Sequence, residues 1–437
     1  MLRFALPLLI SQLFQQLYNA ADSIIVGKFI GTNALAAVSS SGNMIFLFIG
    51  FFEGLAVGAG VLISKNFGAG DYDEVSKTVH TSLAVAVLSG IFLTVAGVAL
   101  TPTILILINT DKDILPEATE YFRWYFAGAL SLVLYNICRG IMTAVGDSRR
   151  PLFYLIFSSC LNIGLDLLFV GAFKWQVWAA AFATTLSQAV SAVLCIITLC
   201  KEEGAIKVNL KKIKIHKKEF VLIIKYGVPS GVQNSVIGFA NIVVLSQINS
   251  FGKIATATYG TYSKIEGFTF VPITAFCNAI TTFVSQNLGA RQYDRAGKGA
   301  RFGILLSAAT AELIGVLYIL LRPMLFSLFT SDAEVFALSK IQVTTIVPFY
   351  ALLALAHSIA AVCRGAGKAA VPMYIMLGIW CVVRISYILT VMHLFGDIRL
   401  VYWAYPITWG LSDIIFVIHY FKSDWLHGFD KKDEING

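Results

Sequence analysis

Charge is what this chain has least of. Asp, Glu, Lys and Arg make up 13% of its 437 residues, against roughly 25% in a soluble domain. That scarcity excludes an ordinary water-soluble globule. Proline is also sparse, ten residues against 35 glycines. The seven cysteines, Cys138, Cys160, Cys195, Cys200, Cys277, Cys363 and Cys381, stand singly and without metal-ligand spacing. They read as small apolar fillers, and no metal site is expected. The six histidines are scattered, and neither His-x-x-x-His nor Gly-x-Ser-x-Gly occurs, so the signatures of a membrane-embedded hydrolase are missing. Strict polar/apolar alternation is missing too, which excludes a β-barrel. No cleavable leader is expected, because Met1-Leu2-Arg3 runs directly into the first apolar stretch.

What is present is long apolar runs. Hydrophobic residues make up 57% of the chain and the mean hydropathy is +0.76. Twelve membrane spans are expected, at about 5–29, 37–63, 79–108, 120–145, 151–173, 176–200, 220–249, 255–285, 300–321, 341–363, 371–395 and 400–421. An even number puts both termini on one side. The loops on that side carry 23 of the 33 Lys and Arg and the opposite loops 8, so both termini are expected in the cytoplasm of a multi-pass cell-membrane protein. The net charge of +8 is explained by those loops and calls for no nucleic acid. The stretch KEEGAIKVNLKKIKIHKKEF, 201–220, reads as a solvated basic linker against an anionic leaflet. It separates an N-terminal lobe, 1–205, from a C-terminal lobe, 220–437, with 206–219 as the linker.

The lobes repeat each other. Ser64, Asn66, Gly68, Ala69, Tyr72 and Asp73 recur as Ser285, Asn287, Gly289, Ala290, Tyr293 and Asp294. Gly146 and Pro151 recur at the same offset as Gly367 and Pro372. In each copy a Gly is expected to cap one helix and the Pro to start the next. Six spans between copies means equal orientation. The fold expected is therefore an all-α polytopic membrane protein, with twelve transmembrane helices in two six-helix lobes related by a pseudo-twofold parallel repeat around a central cleft.

A carboxylate near the middle of a bilayer helix costs at least about 2.5–3.5 kcal/mol, so it must be paired, wet, protonated or used. Six acids fall within spans: Asp22, Glu53, Asp166, Glu266, Glu312 and Asp413. Glu53, Glu312 and Asp413 read as structural. Glu266 lies two residues from Lys264, a spacing that does not share a helix face. Lys264 is open to pairing with an acid on another span, and Arg384 is given a similar structural role. Asp166 has better company: Asn162 precedes it by four residues, and Thr184 and Gln188 are four apart on the next span. Asp22, Asn19, Asn162, Asp166 and Thr184 can converge on one polar pocket or make separate helix–helix hydrogen bonds. Adding the loop offset to Asp22, Asn162, Asp166 and Thr184 gives Val243, Val383, Tyr387 and Tyr405. The loops are duplicated and the acidic group is not.

Phe4-Ala-Leu-Pro7, Tyr18-Asn-Ala-Ala-Asp22-Ser-Ile-Ile-Val-Gly27, Asn66-Phe-Gly68-Ala69-Gly-Asp, Gly146-Asp-Ser-Arg-Arg-Pro151, Asn162-Ile-Gly-Leu-Asp166, Ala181-Phe-Ala-Thr184, Pro229 and Gln286-Asn-Leu-Gly289-Ala290 resemble the MATE (multidrug and toxic compound extrusion) transporters in order and spacing. The resemblance covers nearly the whole chain. It implies a secondary antiporter that exports organic cations and other drugs against protons or sodium. It assigns the N-lobe cation site to Asp22, with Asn162, Asp166 and Thr184 as partners. A C-lobe sodium site of the kind some relatives have is not expected, since spans 220–249 and 341–363 lack a suitable carboxylate.

The mechanism expected is alternating access, with Asp22 and Asp166 exchanging the coupling ion as a unit. Sodium is a rival to the proton at the same oxygens. No cofactor beyond that ion is implied. Phe14, Gln15, Tyr18, Asn19, Met44, Tyr135 and Gln188 are candidates for the substrate cleft, which would take small, cationic amphipathic molecules. A monomer in the lipid bilayer is expected, and no enzyme. A lipid or lipid-linked-sugar flippase of the same superfamily is the alternative. It would want a cleft rich in Arg or Lys, for which only Lys264 and Arg384 are available.

Overall fold

Inside a bilayer each backbone N–H must find its partner within the chain, so apolar runs of this length fold as helices. The computed structural model describes residues 1–107, 110 and 113–429, with side chains at all of these except 32, 33, 35–37, 39–49 and 107. The helices are α1 (Leu2–Phe29), α2 (Thr32–Ala69), α3 (Tyr72–Leu107), α4 (Leu115–Ala127), α5 (Ala129–Ala144), α6 (Arg149–Asp166), α7 (Trp178–Lys201), α8 (Lys217–Asn249), α9 (Lys253–Gly289), α10 (Tyr293–Ser327), α11 (Ala333–Ile346), α12 (Tyr350–Gly365), α13 (Ala370–Met376), α14 (Arg384–Leu394) and α15 (Ile398–Lys422). The described residues contain no strand. With α4–α5, α11–α12 and α13–α14 each taken as one interrupted run, there are twelve, six up to Lys201 and six from Lys217. Among the described residues, nine runs are long and apolar enough to cross a membrane, and α4–α5, bent by 46°, makes a tenth. α9 has 37 residues, about 55 Å of helix, so its ends pass well beyond a hydrocarbon core of about 30 Å.

The chain divides into two compact units, Ile10–Gly231 and Met1–Leu9 with Val232–Gly437. In the first, α3 packs on α2, α4 and α5, and α7 packs on α4, α5 and α6. The bend between α4 and α5 falls at Gly128, where a Cβ would come within 2.3 Å of the Thr185 side chain on α7. Trp124, Trp175 and Trp178 stack in series beside it, with ring centres 5.2–5.3 Å apart, as aromatic residues do at the level of lipid headgroups. In the second unit α9, α10 and α12 pack on one another, and α15 packs on α11, α12 and α14. Here α11–α12 is interrupted by a 3₁₀ turn, Val347–Phe349. Glu312 on α10 accepts the backbone N–H of Ala351 at 3.1 Å just beyond it. Its carboxylate thus caps the restarted helix, the structural part expected for it.

The repeat seen in the loops extends to individual hydrogen bonds. Ser64 Oγ donates to the Ala144 carbonyl at 3.0 Å, and Ser285 Oγ to that of Gly365 at 2.8 Å. Asp71 N–H reaches Asn66 O at 3.0 Å, and Gln292 N–H reaches Asn287 O at 2.8 Å. One expectation is corrected. Gly68 and Gly289 are still helical, and the left-handed residue comes two positions later, at Gly70 (φ 74°) and at Arg291 (φ 55°). Gly146 and Gly367 do adopt positive φ, 97° and 72°, before the turns that start α6 and α13.

The basic segment after α7 is docked rather than merely solvated. Ile206 and Val208 are buried. Val208 N–H bonds to Leu199 O at 2.9 Å, Asn209 N–H donates to His80 Nε2 at 3.1 Å, and His216 N–H donates to Thr81 Oγ1 at 3.2 Å. Charge composition hid this, because two apolar side chains and a few polar partners on α3 suffice to hold a segment that is otherwise full of lysine.

Candidate functional site

Tyr18 and Asp22 lie one turn apart on α1, and both are buried. On α6 the same spacing stacks Asn162 above Asp166, the latter with no exposed surface. Asn162 Nδ2 donates to Thr184 Oγ1 on α7 at 3.3 Å. Asp22 on α1 and Asp166 on α6 are near neighbours. Asp22 Oδ1, both oxygens of Asp166, Asn162 Oδ1 and Gln188 Oε1 are buried without a donor. Immediately after Asp166 the helix widens into a π-helical stretch, Leu167–Ala172.

Beside these groups is a small polar cavity lined by Tyr18, Ser158, Ser159, Asn162, Thr184, Ser187 and Gln188. It has room for about one water. Its wall includes neither acid, so the polar space opens from Asn162 along α6 and α7, not between the two carboxylates. The orphaned acceptors are hard oxygen donors of the kind that hold a proton or a small hard cation.

The structure therefore brings Asp22, Asn162, Asp166 and Thr184 together, with Tyr18 and Gln188 beside them. Tyr18 and Gln188 are neighbours on the cavity wall. Phe14, Gln15 and Asn19 do not join the cavity wall. Phe14 and Gln15 are half-exposed, Asn19 is exposed, and its carbonyl accepts Ser23 Oγ at 3.0 Å. Phe14 and Gln15 lie four and three residues before Tyr18, on the same side of α1 but further along it, and Asn19 is turned about 100° from Tyr18. Tyr135 is buried apart from the cavity wall, its hydroxyl without a partner. The Met44 side chain lies outside those described. Ser158, Ser159 and Ser187 were not legible as site residues from type alone. Their signal was spacing, because Ser158 precedes Asn162 by the four residues that separate Asn162 from Asp166.

In the second unit the buried ionisable groups include an acid, Asp413, 5% exposed with both oxygens unpartnered, and a cation. Arg384 is 1% exposed, and donates to Thr408 Oγ1 from Nε at 3.0 Å and Nη2 at 2.7 Å. Its guanidinium lies 5.1 Å from the Trp380 ring centre and 4.8 Å from that of Tyr405. It too adjoins a π-helical stretch, Leu377–Val383. Glu266 accepts the Tyr262 hydroxyl at 3.0 Å, and that hydroxyl is 3.1 Å from Tyr350 Oη. Lys264 lies over the Phe329 ring at 5.6 Å, a cation–π contact in place of the acid left open for it.

A family profile described as MatE matches this chain twice, over residues 7–168 and 229–390. The chain belongs to the MATE family. As a member it is a membrane transporter and not an enzyme. It is similar to the probable multidrug resistance protein YoeA of Bacillus subtilis, 28% identical over 97% of this chain and 93% of that one. It is also similar to the probable multidrug resistance protein NorM of Thermotoga maritima, 27% identical over 87% and 82%. Among solved structures, a MATE transporter in complex with MaL6 superposes with a TM-score of 0.91 at 22% identity, covering 99% of this chain and 96% of that one. A MOP superfamily transporter from Pyrococcus furiosus gives 0.90 at 22%, covering 100% and 96%. These neighbours fix the MATE fold of twelve helices in two lobes.

The two matches begin at Pro7 and Pro229 and end at Leu168 and Thr390, one residue further apart than the paired loops. At the loop offset Asp22 and Asp166 fall on Val243 and Tyr387, and one residue further, on Val244 and Ile388. The counterpart of each first-lobe acid remains non-acidic.

Proposed function

We propose that this MATE transporter exports small amphipathic cations across the cell membrane in exchange for protons, by alternating access. The observation that carries the reading is the neighbouring pair Asp22 and Asp166, buried in one lobe with oxygens that have no donor. Relatives named as multidrug resistance proteins support the substrate class. An incoming proton binds this pair, removes charge from the pocket and releases the bound cation outward. Loss of the proton to the cytoplasm restores a negative site for the next substrate. The membrane potential adds about 2.3 kcal/mol per charge per 100 mV. Both termini lie in the cytoplasm, the side that the excess of Lys and Arg marks, and the monomer is the working unit.

Asn162 Oδ1 and Gln188 Oε1 favour a second reading, since neutral oxygens beside carboxylates also suit sodium. Purified protein in liposomes loaded with ethidium separates the two. Efflux driven by a pH gradient and lost in Asp22→Asn, with the variant folded, is the expected result. Efflux driven by a sodium gradient alone would overturn proton coupling.

A further inference from the structure

The polar residues do not stop at the candidate site. On α6, Asp166, Asn162, Ser158, Tyr154 and Arg150 follow one another at intervals of four and form a single stripe. α7 packs along α6 and presents Thr184, Ser187, Ser191 and Thr198, with Glu202 just beyond its end. The stripes meet in successive contacts. Asn162 bonds to Thr184. The cavity lies among Ser158, Ser159 and Ser187. Ser191 Oγ donates to the Tyr154 carbonyl at 3.2 Å, and the Tyr154 hydroxyl is 2.6 Å from Thr198 Oγ1. Arg150 Nη1 then pairs with Glu202. Ser158, Ser187 and Ser191 are buried, whereas the Arg150 and Glu202 side chains are 48% and 24% exposed. The seam thus runs from buried acids to water over sixteen residues of helix, about 24 Å.

Isolated helix–helix hydrogen bonds within a membrane contribute about 0.6 kcal/mol each, and they give no reason for polar side chains to recur along the whole contact and end at solvent. The corresponding helices of the second lobe meet through Arg384–Thr408 and Trp380–Ser412, a polar contact that does not continue to the start of the helix. At the loop offset, Val371 and Ile375 stand where Arg150 and Tyr154 do.

We propose that the α6–α7 seam is the path by which protons pass between the Asp22–Asp166 pair and the water at Arg150–Glu202. This rests on the proton-coupled reading above. A hydroxyl, or a water seated in the cavity, accepts one proton as it gives up another. Each hop breaks one O–H bond and makes one. The sum is one proton moved, a carboxyl group at the site becoming carboxylate, and the proton received by water or the Glu202 carboxylate.

The test uses the full chain in liposomes, with a pH-sensitive dye in the lumen and ethidium as substrate. Tyr154→Phe and Thr198→Val should slow substrate-linked proton flux about tenfold while equilibrium ethidium binding is unchanged. Thr198→Ser, which keeps the hydroxyl, should retain the parent rate. Parent-like flux in Tyr154→Phe and Thr198→Val would overturn the seam. So would a loss of ethidium binding that parallels the loss of flux, because that marks a packing role. Asp166→Asn separates the two levels. If it abolishes flux while the seam variants do not slow it, the seam fails and proton coupling stands; if it leaves flux intact, proton coupling itself fails.

Discussion

The fifth helix of the first lobe and its counterpart in the second begin alike and end differently. Both start after a positive-φ glycine, Gly146 or Gly367, and both carry a proline in the first turn. Beyond that the first buries Asn162 and Asp166, and the second buries Arg384 against Trp380 and Thr408. The parts that hold each lobe's turns together, down to Ser64 on Ala144 and Ser285 on Gly365, are kept in both copies. The buried charge has opposite sign. Duplication therefore supplied the frame, and the interiors took on separate chemistry.

The sharpest way to break this comparison is to neutralise one acid in each lobe. Asp166→Asn should lower proton-driven ethidium efflux by about a hundredfold or more, with normal amounts in the membrane. Glu266→Gln, whose carboxylate is held by Tyr262, should stay within about threefold of the parent. Equal losses would mean that the lobes share the coupling task.

A smaller effect is expected for the second lobe's own ion. Arg384→Ala leaves a hole between Trp380 and Tyr405 and should cost about 2–4 kcal/mol. Arg384→Met fills most of that volume and should cost less than about 1.5 kcal/mol. Thermal unfolding in detergent reads both, and a larger loss in Arg384→Met than in Arg384→Ala would show that packing is not what the site needs.

Removing the duplicated serine bond should cost about 1 kcal/mol in either lobe. Ser64→Ala and Ser285→Ala should lower the melting temperature by similar amounts, and a clear inequality would show that the shared frame is not energetically equivalent. Smallest is the turn after α9. Arg291 holds the left-handed position that Gly70 fills in the first lobe. Arg291→Gly should therefore stabilise by about 0.5–1 kcal/mol, and Gly70→Ala should shift the melting temperature the other way.

Much of this was legible in the sequence. Apolar runs gave the number of helices, because no other element satisfies its backbone in lipid, and the paired loops gave the repeat. Asp166 with Asn162 was legible because spacing by four puts side chains on one face. Phe14, Gln15 and Asn19 were chosen from the stretch around Asp22, and spacing alone did not show that they stand more exposed than Tyr18 and Asp22. The π-helical stretches were invisible, since one extra residue in a turn leaves composition unchanged. The docking of the basic segment was hidden for a related reason: lysine content says nothing of where Ile206 and Val208 point.

The bend at Gly128 has a consequence for heredity. A methyl group there meets Thr185, a short and branched side chain with little freedom to retreat. Every missense change of a glycine codon adds at least that methyl. The position thus has no tolerated neighbour in the genetic code, and in a saturation scan of the chain codon 128 would stand as an empty column.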